Sequence, residues 1–405
     1  MMARATGTLI MPLEPVKLPS VVKRCFHGFT RAIAFAVLGI ALASPAAAKE
    51  LTSDQGIFID MPSGFTAGEG DGKARFSYFG PDDVVEFDIL IFAPGRYSSS
   101  ESMAADLLQH MGAQGDTSSF LYEGRRAVIA NTSFSLSGVP RTGYALFIVD
   151  GSGSSYALVA SAETSQFSTC SELIISCLDA FSINRAARRD PGPVSQFLLP
   201  WPVERSARKT ATLPGGQVQI HWSSEEADQE LSVVEREYRI LTTYLDNQTL
   251  WQDAWARFSR MVYRESAARL DAFTEAFSKS LVPGEPTETA RRVLAWVQDF
   301  TYERASFGVD IVPPQIAAFE RRGDCDARAI LMAVTLERMG IDSVLMISRD
   351  YSHAMLAVDV PGGGQRFPFN GKEYLVAETT AKVGLGMIDA SQTDWSKWLG
   401  VDLGE

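Results

Sequence analysis

The chain is expected to fold in the α+β class, as an N-terminal α+β domain on an antiparallel sheet, a helical middle lobe and a C-terminal α+β domain. Residues 49–184 contain short runs in which apolar and polar side chains alternate, the period of a half-buried strand. Residues 223–302 repeat apolar and aromatic side chains at helical spacing. The last third joins one helical segment to further alternating runs. A length of 405 residues, with 46% hydrophobic and 21% charged side chains, suits a globular chain of two or three domains.

Taken in order, the chain opens on a targeting pattern. Lys23, Arg24 and Arg31 precede an apolar run from Ala32 to Ala43, and Ser44-Pro45 with Ala46-Ala47-Ala48 resembles a cleavage site. This predicts a signal peptide over residues 1–48 and an exported product, periplasmic or secreted. The apolar run is short against the ~20 residues of a spanning helix. No second stretch is a better candidate, so no stable membrane span is expected after cleavage. Removing residues 1–48 takes away five cations and one anion, moving the formal net charge from −12 to −16. Such a surface repels nucleic acid on average, so no nucleic-acid partner is expected.

Residues 49–184 read as the first domain. Strands are expected at Gly56–Ile59, Ala74–Phe79 and Val85–Ile91, then a helix with Met103, Leu107, Leu108 and Met111 on one face. A hairpin should join Tyr144–Val149 to Tyr156–Ala160 through Gly151-Ser152-Gly153-Ser154. That segment links two strands and opens no helix, so it is a turn and not a phosphate loop. A helix over Ser165–Leu178 and a strand over Ala180–Ile183 close the domain. Their order is faintly similar to the PsbP-like α+β sandwich. Cleavage would remove Cys25 and leave Cys170, Cys177 and Cys325 in an oxidising compartment. Seven residues of helix rise ~10.5 Å, beyond disulfide reach unless the helix breaks. A Cys170–Cys177 bridge and two buried reduced thiols both stay open.

Residues 185–222 are expected to be a linker, with Arg185, Arg188, Arg189, Arg205, Arg208 and Lys209 scattered among prolines. Residues 223–284 form the helical lobe. Ser223 and Glu226 make a capping box, and Leu231, Val234, Tyr238, Leu241 and Leu245 follow on one face. A second helix should carry Trp251, Trp255, Phe258, Val262, Leu270, Phe273 and Phe277 as far as Pro283-Gly284. Its aromatic stripe reads as core. A third helix, with Val293, Val297 and Phe300, opens the last domain at residues 285–405.

The chemistry gathers in that last domain. In Gly323-Asp324-Cys325-Asp326-Ala327-Arg328-Ala329, Asp324 can cap a helix that Gly340 stops. Cys325 then lies in the first turn, where the dipole and unpaired amides favour a thiolate and can hold an oxyanion. Asp324 and Asp326 oppose this, so a cationic partner is needed. His353 is the only histidine after residue 221 and starts the strand His353–Val360. Glu378 follows on the strand Tyr374–Thr379, behind the hairpin signal Asn370-Gly371. Thiol, imidazole and carboxylate can serve as nucleophile, base and orienter. None of the usual Cys-x-x-Cys or His-x-x-x-His spacings is present, so no metal and no cofactor are expected.

Gly323-Asp324-Cys325, His353 placed 28 residues later and Glu378-Thr379-Thr380 a further 25 on resemble the transglutaminase-like (papain-type thiol) superfamily, especially its bacterial members. The likeness covers roughly the last 120 of 405 residues. It implies a transglutaminase-like C-terminal domain, a Cys325–His353–Glu378 triad and a protein or peptide substrate. Gln315 would stand for the papain-type glutamine that polarises a carbonyl, and Tyr302 for an aromatic that packs ahead of the active-site segment. The expected function is an exported thiol acyl-transfer enzyme, with hydrolysis preferred because nothing marks an amine site. A non-catalytic peptide- or protein-binding module on the same scaffold is the competing class. A third form is an enzyme held latent by residues 185–302.

Overall fold

A strand covered by a helix on each face is buried along its whole length, and Ser155–Glu163 is such a segment: eight of its nine residues are buried. Around it the computed structural model, which describes residues 56–403 except 63, 69, 152, 199–206, 245–249, 282–283 and 305–310, builds an α+β protein. The segment expected to be a signal peptide, with Cys25, and Ser152, Arg205, Leu245 and Pro283, lie outside the described residues.

The first part runs β1 (Phe58–Ile59), β2 (Thr66–Ala67), β3 (Arg75–Phe79), β4 (Val85–Phe92), α1 (Ser100–His110), β5 (Thr117–Tyr122), β6 (Arg125–Leu136), β7 (Val139–Val149), β8 (Ser155–Glu163), α2 (Phe167–Asp179) and β9 (Phe181–Ser182). Seven of these strands form an antiparallel sheet in the order β2-β3-β4-β8-β7-β6-β5. Alternation sorts its side chains. Ala145, Phe147, Ala157 and Val159 face Met103 of α1, while Leu146, Ile148, Leu158 and Ala160 join Ile174 and Leu178 of α2. Ser99 caps α1 through the amide of Ser102 at 3.1 Å.

The segment expected as a linker, residues 185–222, contains regular structure among its described residues. They carry a 3₁₀ turn at Ala186–Arg189, α3 (Pro193–Leu198) and a hairpin of β10 (Ala207–Leu213) with β11 (Gly216–Trp222). Ala211, Leu213 and Ile220 point into the core, an alternation too short to stand out among basic residues. The helices that follow are α4 (Ser224–Tyr244), α5 (Trp251–Arg269), α6 (Asp271–Ser280) and α7 (Pro286–Gln298). The long second helix expected from sequence is therefore two. The chain leaves helical geometry at Leu270 (φ −89°, ψ 2°), which lets Phe273 and Phe277 turn toward Trp296. No helix among the described residues is long and apolar enough to cross a membrane.

β12 (Thr301–Tyr302), α8 (Pro314–Glu320), β13 (Arg322–Gly323), α9 (Cys325–Glu337), β14 (Ser343–Ser348), β15 (His353–Val358), β16 (Arg366–Phe369), β17 (Lys372–Ala377) and β18 (Leu399–Asp402) complete the fold. The last five strands make an antiparallel sheet ordered β16-β17-β15-β14-β18, with α9 packed on β14 and β15. One buried core runs from Ala211 to Leu403 and contains α4–α9 and one face of this sheet, so the helical lobe and the C-terminal sheet share an interior.

A charged layer is buried where α2 meets α4 and α5. Asp179 accepts from Arg236 at 2.5 Å and from Ser195, while Glu237 takes Arg236, Arg257 and Ser176. Burial would raise both carboxyls, but the arginines overcome it and hold both below the usual range. Of the two arrangements left open for Cys170 and Cys177, the structure holds the unbridged one. Both cysteines are free, on one continuous helix whose geometry separates them by two turns.

Candidate active site

α9 begins where Gly323 lets two helices approach: a Cβ there would meet Ala327 Cβ at 3.1 Å and Ala317 Cβ of α8 at 3.5 Å. Asp324 caps the helix by accepting from the amide of Ala327 at 2.9 Å. Cys325 is then the first helical residue, but it is only 2% exposed. Its Sγ donates to Asp326 Oδ2 at 3.3 Å. Burial first, and then the charges of Asp326 and Asp324, push the thiol up, while the main-chain amide of Ala354 faces the sulfur and works the other way. The helix start alone therefore does not favour a thiolate at Cys325.

Ser352, in a left-handed turn at φ 49°, delivers the chain into β15 at His353. The imidazole Nε2 meets Glu378 Oε2 at 2.7 Å, and Trp398 stands edge-on with ring centroids 6.2 Å apart. Glu378 follows β17 directly. Its Oε1 accepts from the amide and hydroxyl of Thr380 at 2.7 and 2.5 Å, and its carbonyl accepts from Gln298 Nε2 of α7 at 2.8 Å. Burial would raise this carboxyl, but His353 and Thr380 outweigh it and hold it below the usual carboxylate range. An ionised Glu378 requires the proton on Nε2, which leaves Nδ1 as the basic nitrogen.

Two of the three expected residues are thus in direct contact. The third, Cys325, sits on the helix packed against β15, beside Ala354, the neighbour of His353. Among the described residues no hydrogen bond joins Sγ to the imidazole. Such bonds commonly tighten only when substrate is bound. A cleft of about 520 Å³ opens on the imidazole side, between Tyr351, His353, Thr380, Met387 and Ile388.

Gln315 lies at the start of α8. It is 2% exposed, and its main-chain amide donates to the Glu230 carboxylate of α4 at 3.2 Å. Its Oε1 has no partner among the described residues. Tyr302 is not packed away: it is 51% exposed, pairs with Gly323 across β12 and β13, and has Arg328 above its ring at 5.5 Å. Arg328 and Gln298 escaped the sequence reading. Arg328 lay inside the thiol motif, one helical turn from Cys325, as the only cation on that buried stretch. Gln298 offered no signal, because its acceptors are main-chain carbonyls distant in sequence.

No family model and no curated protein matches this chain, so the transglutaminase-like resemblance rests on its motif residues. Several solved structures align with parts of this chain at low similarity. Cyanobacterial PsbP from Synechocystis sp. PCC 6803 is 12% identical, covering 36% of this chain and 97% of that one, with a TM-score of 0.29. LpqN of Mycobacterium tuberculosis, described as involved in cell envelope biogenesis, is 16% identical over 31% of this chain and 78% of its own (TM-score 0.22). A Bacteroides thetaiotaomicron VPI-5482 protein is 11% identical over 53% and 76% (TM-score 0.24). At these scores none of them carries an argument about this protein.

Proposed function

We propose that the protein is an exported thiol acyl-transfer enzyme of the transglutaminase-like kind, acting on an amide of a peptide or protein. The carrying observation is the His353–Glu378 pair, which commits Nε2 and leaves Nδ1 basic on the strand against which the Cys325 helix packs. In the proposed reaction Nδ1 takes the thiol proton and Sγ adds to the amide carbonyl. The oxyanion is held at the helix start, where the first amides have no intrahelical acceptor. The imidazolium then protonates the leaving amine, the C–N bond breaks and a thioester remains. Water, activated by the same nitrogen, hydrolyses it. An amine in place of water gives acyl transfer. Periplasmic or secreted localisation is part of this proposal and rests on the residue pattern of the first 48 positions.

The burial of Cys325 supports one variant of this reading, an enzyme whose thiol becomes accessible only after a segment moves. The pH dependence of Cys325 alkylation, mapped by mass spectrometry beside His353→Ala and Glu378→Gln, tests both. An activated site gives a midpoint below the free-thiol value of about 8.5 that rises in the His353 variant. A latent site gives slow labelling that limited proteolysis accelerates, again only with His353 present. Reaction only on unfolding, indifferent to His353, would sink the enzyme reading and favour the binding module.

A further inference from the structure

Every strongly buried arginine has an electrostatic cost to offset, and in this chain carboxylates usually do it. Arg236 contacts Asp179 and Glu237, Arg257 contacts Glu237, and Arg269 contacts Glu265. Arg328 is different. It is 1% exposed, and its guanidinium is shared among three main-chain carbonyls: Nε to Gly323 at 3.1 Å, Nη2 to Phe300 at 2.8 Å and Nη1 to Thr379 at 3.5 Å. Among the described residues it makes no ion pair. The three carbonyls belong to three segments that the site needs in register. Phe300 precedes β12, Gly323 enters the thiol helix, and Thr379 follows Glu378. The acidic groups whose ionised forms couple to its charge are Tyr302, Asp324, Cys325 and Glu378, which include the thiol and the carboxylate of the proposed triad.

We infer that Arg328 is a positioning residue of this site. Its fork ties the entry of the thiol helix to the end of the Glu378 strand, and its fixed cation offsets Asp324 and Asp326 as the thiol ionises. The inference rests on the acyl-transfer reading and answers a difficulty within it, since two aspartates flank the nucleophile. A guanidinium is suited to the role: it cannot lose its proton to the nearby acids, and its planar donors reach several carbonyls at once. The imidazole remains the base; the arginine lowers the cost of what the base creates.

The test compares Arg328→Met and Arg328→Lys with the wild-type protein, reading the pH midpoint and rate of Cys325 alkylation and checking the fold by circular dichroism. Arg328→Met should raise the midpoint and slow alkylation at neutral pH about tenfold or more, the effect of about one pH unit in thiolate population. Arg328→Lys keeps the cation without the fork. It should hold the midpoint near wild type while lowering thermal stability. A folded Met variant with the wild-type profile overturns the inference, and so does a Lys variant whose midpoint rises by a full unit, even if the Met variant fails to fold. His353→Ala run in parallel separates this failure from that of the parent reading. If the histidine variant shifts the profile and the arginine variants do not, only the role of Arg328 falls.

Discussion

Glu378 shows how much a single side chain is asked to do. One oxygen orients His353, the other satisfies the turn at Thr380, and its carbonyl is held from α7 by Gln298. Its carboxyl is held below the ordinary 4.5, so its share of stability is complete above that value and is lost as the pH falls through the folded value. Glu378→Gln keeps the shape but removes the titration. The variant should cost about 1–3 kcal/mol at neutral pH. In denaturant titrations the gap between the two proteins should narrow on acidification below 4.5. A gap that stays constant into strong acid would mean that the carboxylate is not held low. The contact of His353 with Glu378 was legible in the sequence because both flank strand signals at a spacing tied to a thiol helix. Arg328 and Gln298 were not, because main-chain carbonyls look alike in any sequence and acquire partners only on folding. For Gln315 the distance in sequence from Cys325 was readable, but the bond from its main-chain amide to the buried Glu230 carboxylate was not.

At the scale of elements, periodicity located the long segments and failed at joints and short pieces. The strands of the first sheet and the helices around Leu107, Val234 and Val293 follow their apolar periods. The break at Leu270 was hidden because the apolar spacing continues across it from α5 into α6. The β10–β11 hairpin was hidden because few of its residues turn inward. α2 carries its own test. Burial pushes the Cys170 thiol up to about 11 and the Cys177 thiol up to about 12, so neither should react readily in the folded protein. After denaturation without reductant, both should take up alkylating agent, and their peptides should appear separately. An unlabelled pair, 2 mass units lighter by the ~1 Da each hydrogen contributes, would mean that α2 opens between them far enough to satisfy disulfide geometry.

Across the whole molecule, the buried charges link parts far apart in sequence, and they do not all respond to acid alike. Asp179 and Glu237, held below the usual carboxylate range, favour the folded state above that range and lose their contribution as the pH falls. Glu230 behaves in the opposite sense. Burial pushes its carboxyl up to about 7, although the Ser266 hydroxyl, Arg269 and the Gln315 amide favour its charged form. A raised folded value means that its stabilising share is complete below the ordinary 4.5 and disappears as the pH rises through about 7.

The consequence reaches the proposed site, because Glu230 lies on α4 and accepts from α5 through Ser266 and from α8 through Gln315, the helix that leads into β13 and Cys325. Ionising Glu230 therefore loads the junction between the helical lobe and the thiol-bearing segment. Glu230→Gln removes the ionisation while keeping an acceptor for Ser266 and for the Gln315 amide. It should leave stability at acid pH within about 1 kcal/mol of wild type and raise it at pH above about 7, by an amount on the order of 3 kcal/mol at most. Unfolding free energies across that range decide the matter. A variant less stable than wild type at every pH would mean that the charged carboxylate is what α8 needs, and that Arg269 compensates it more fully than burial opposes it. A variant that gains stability only at high pH would identify Glu230 as a group whose ionisation destabilises the fold as the pH rises, at a junction one helix away from the nucleophile.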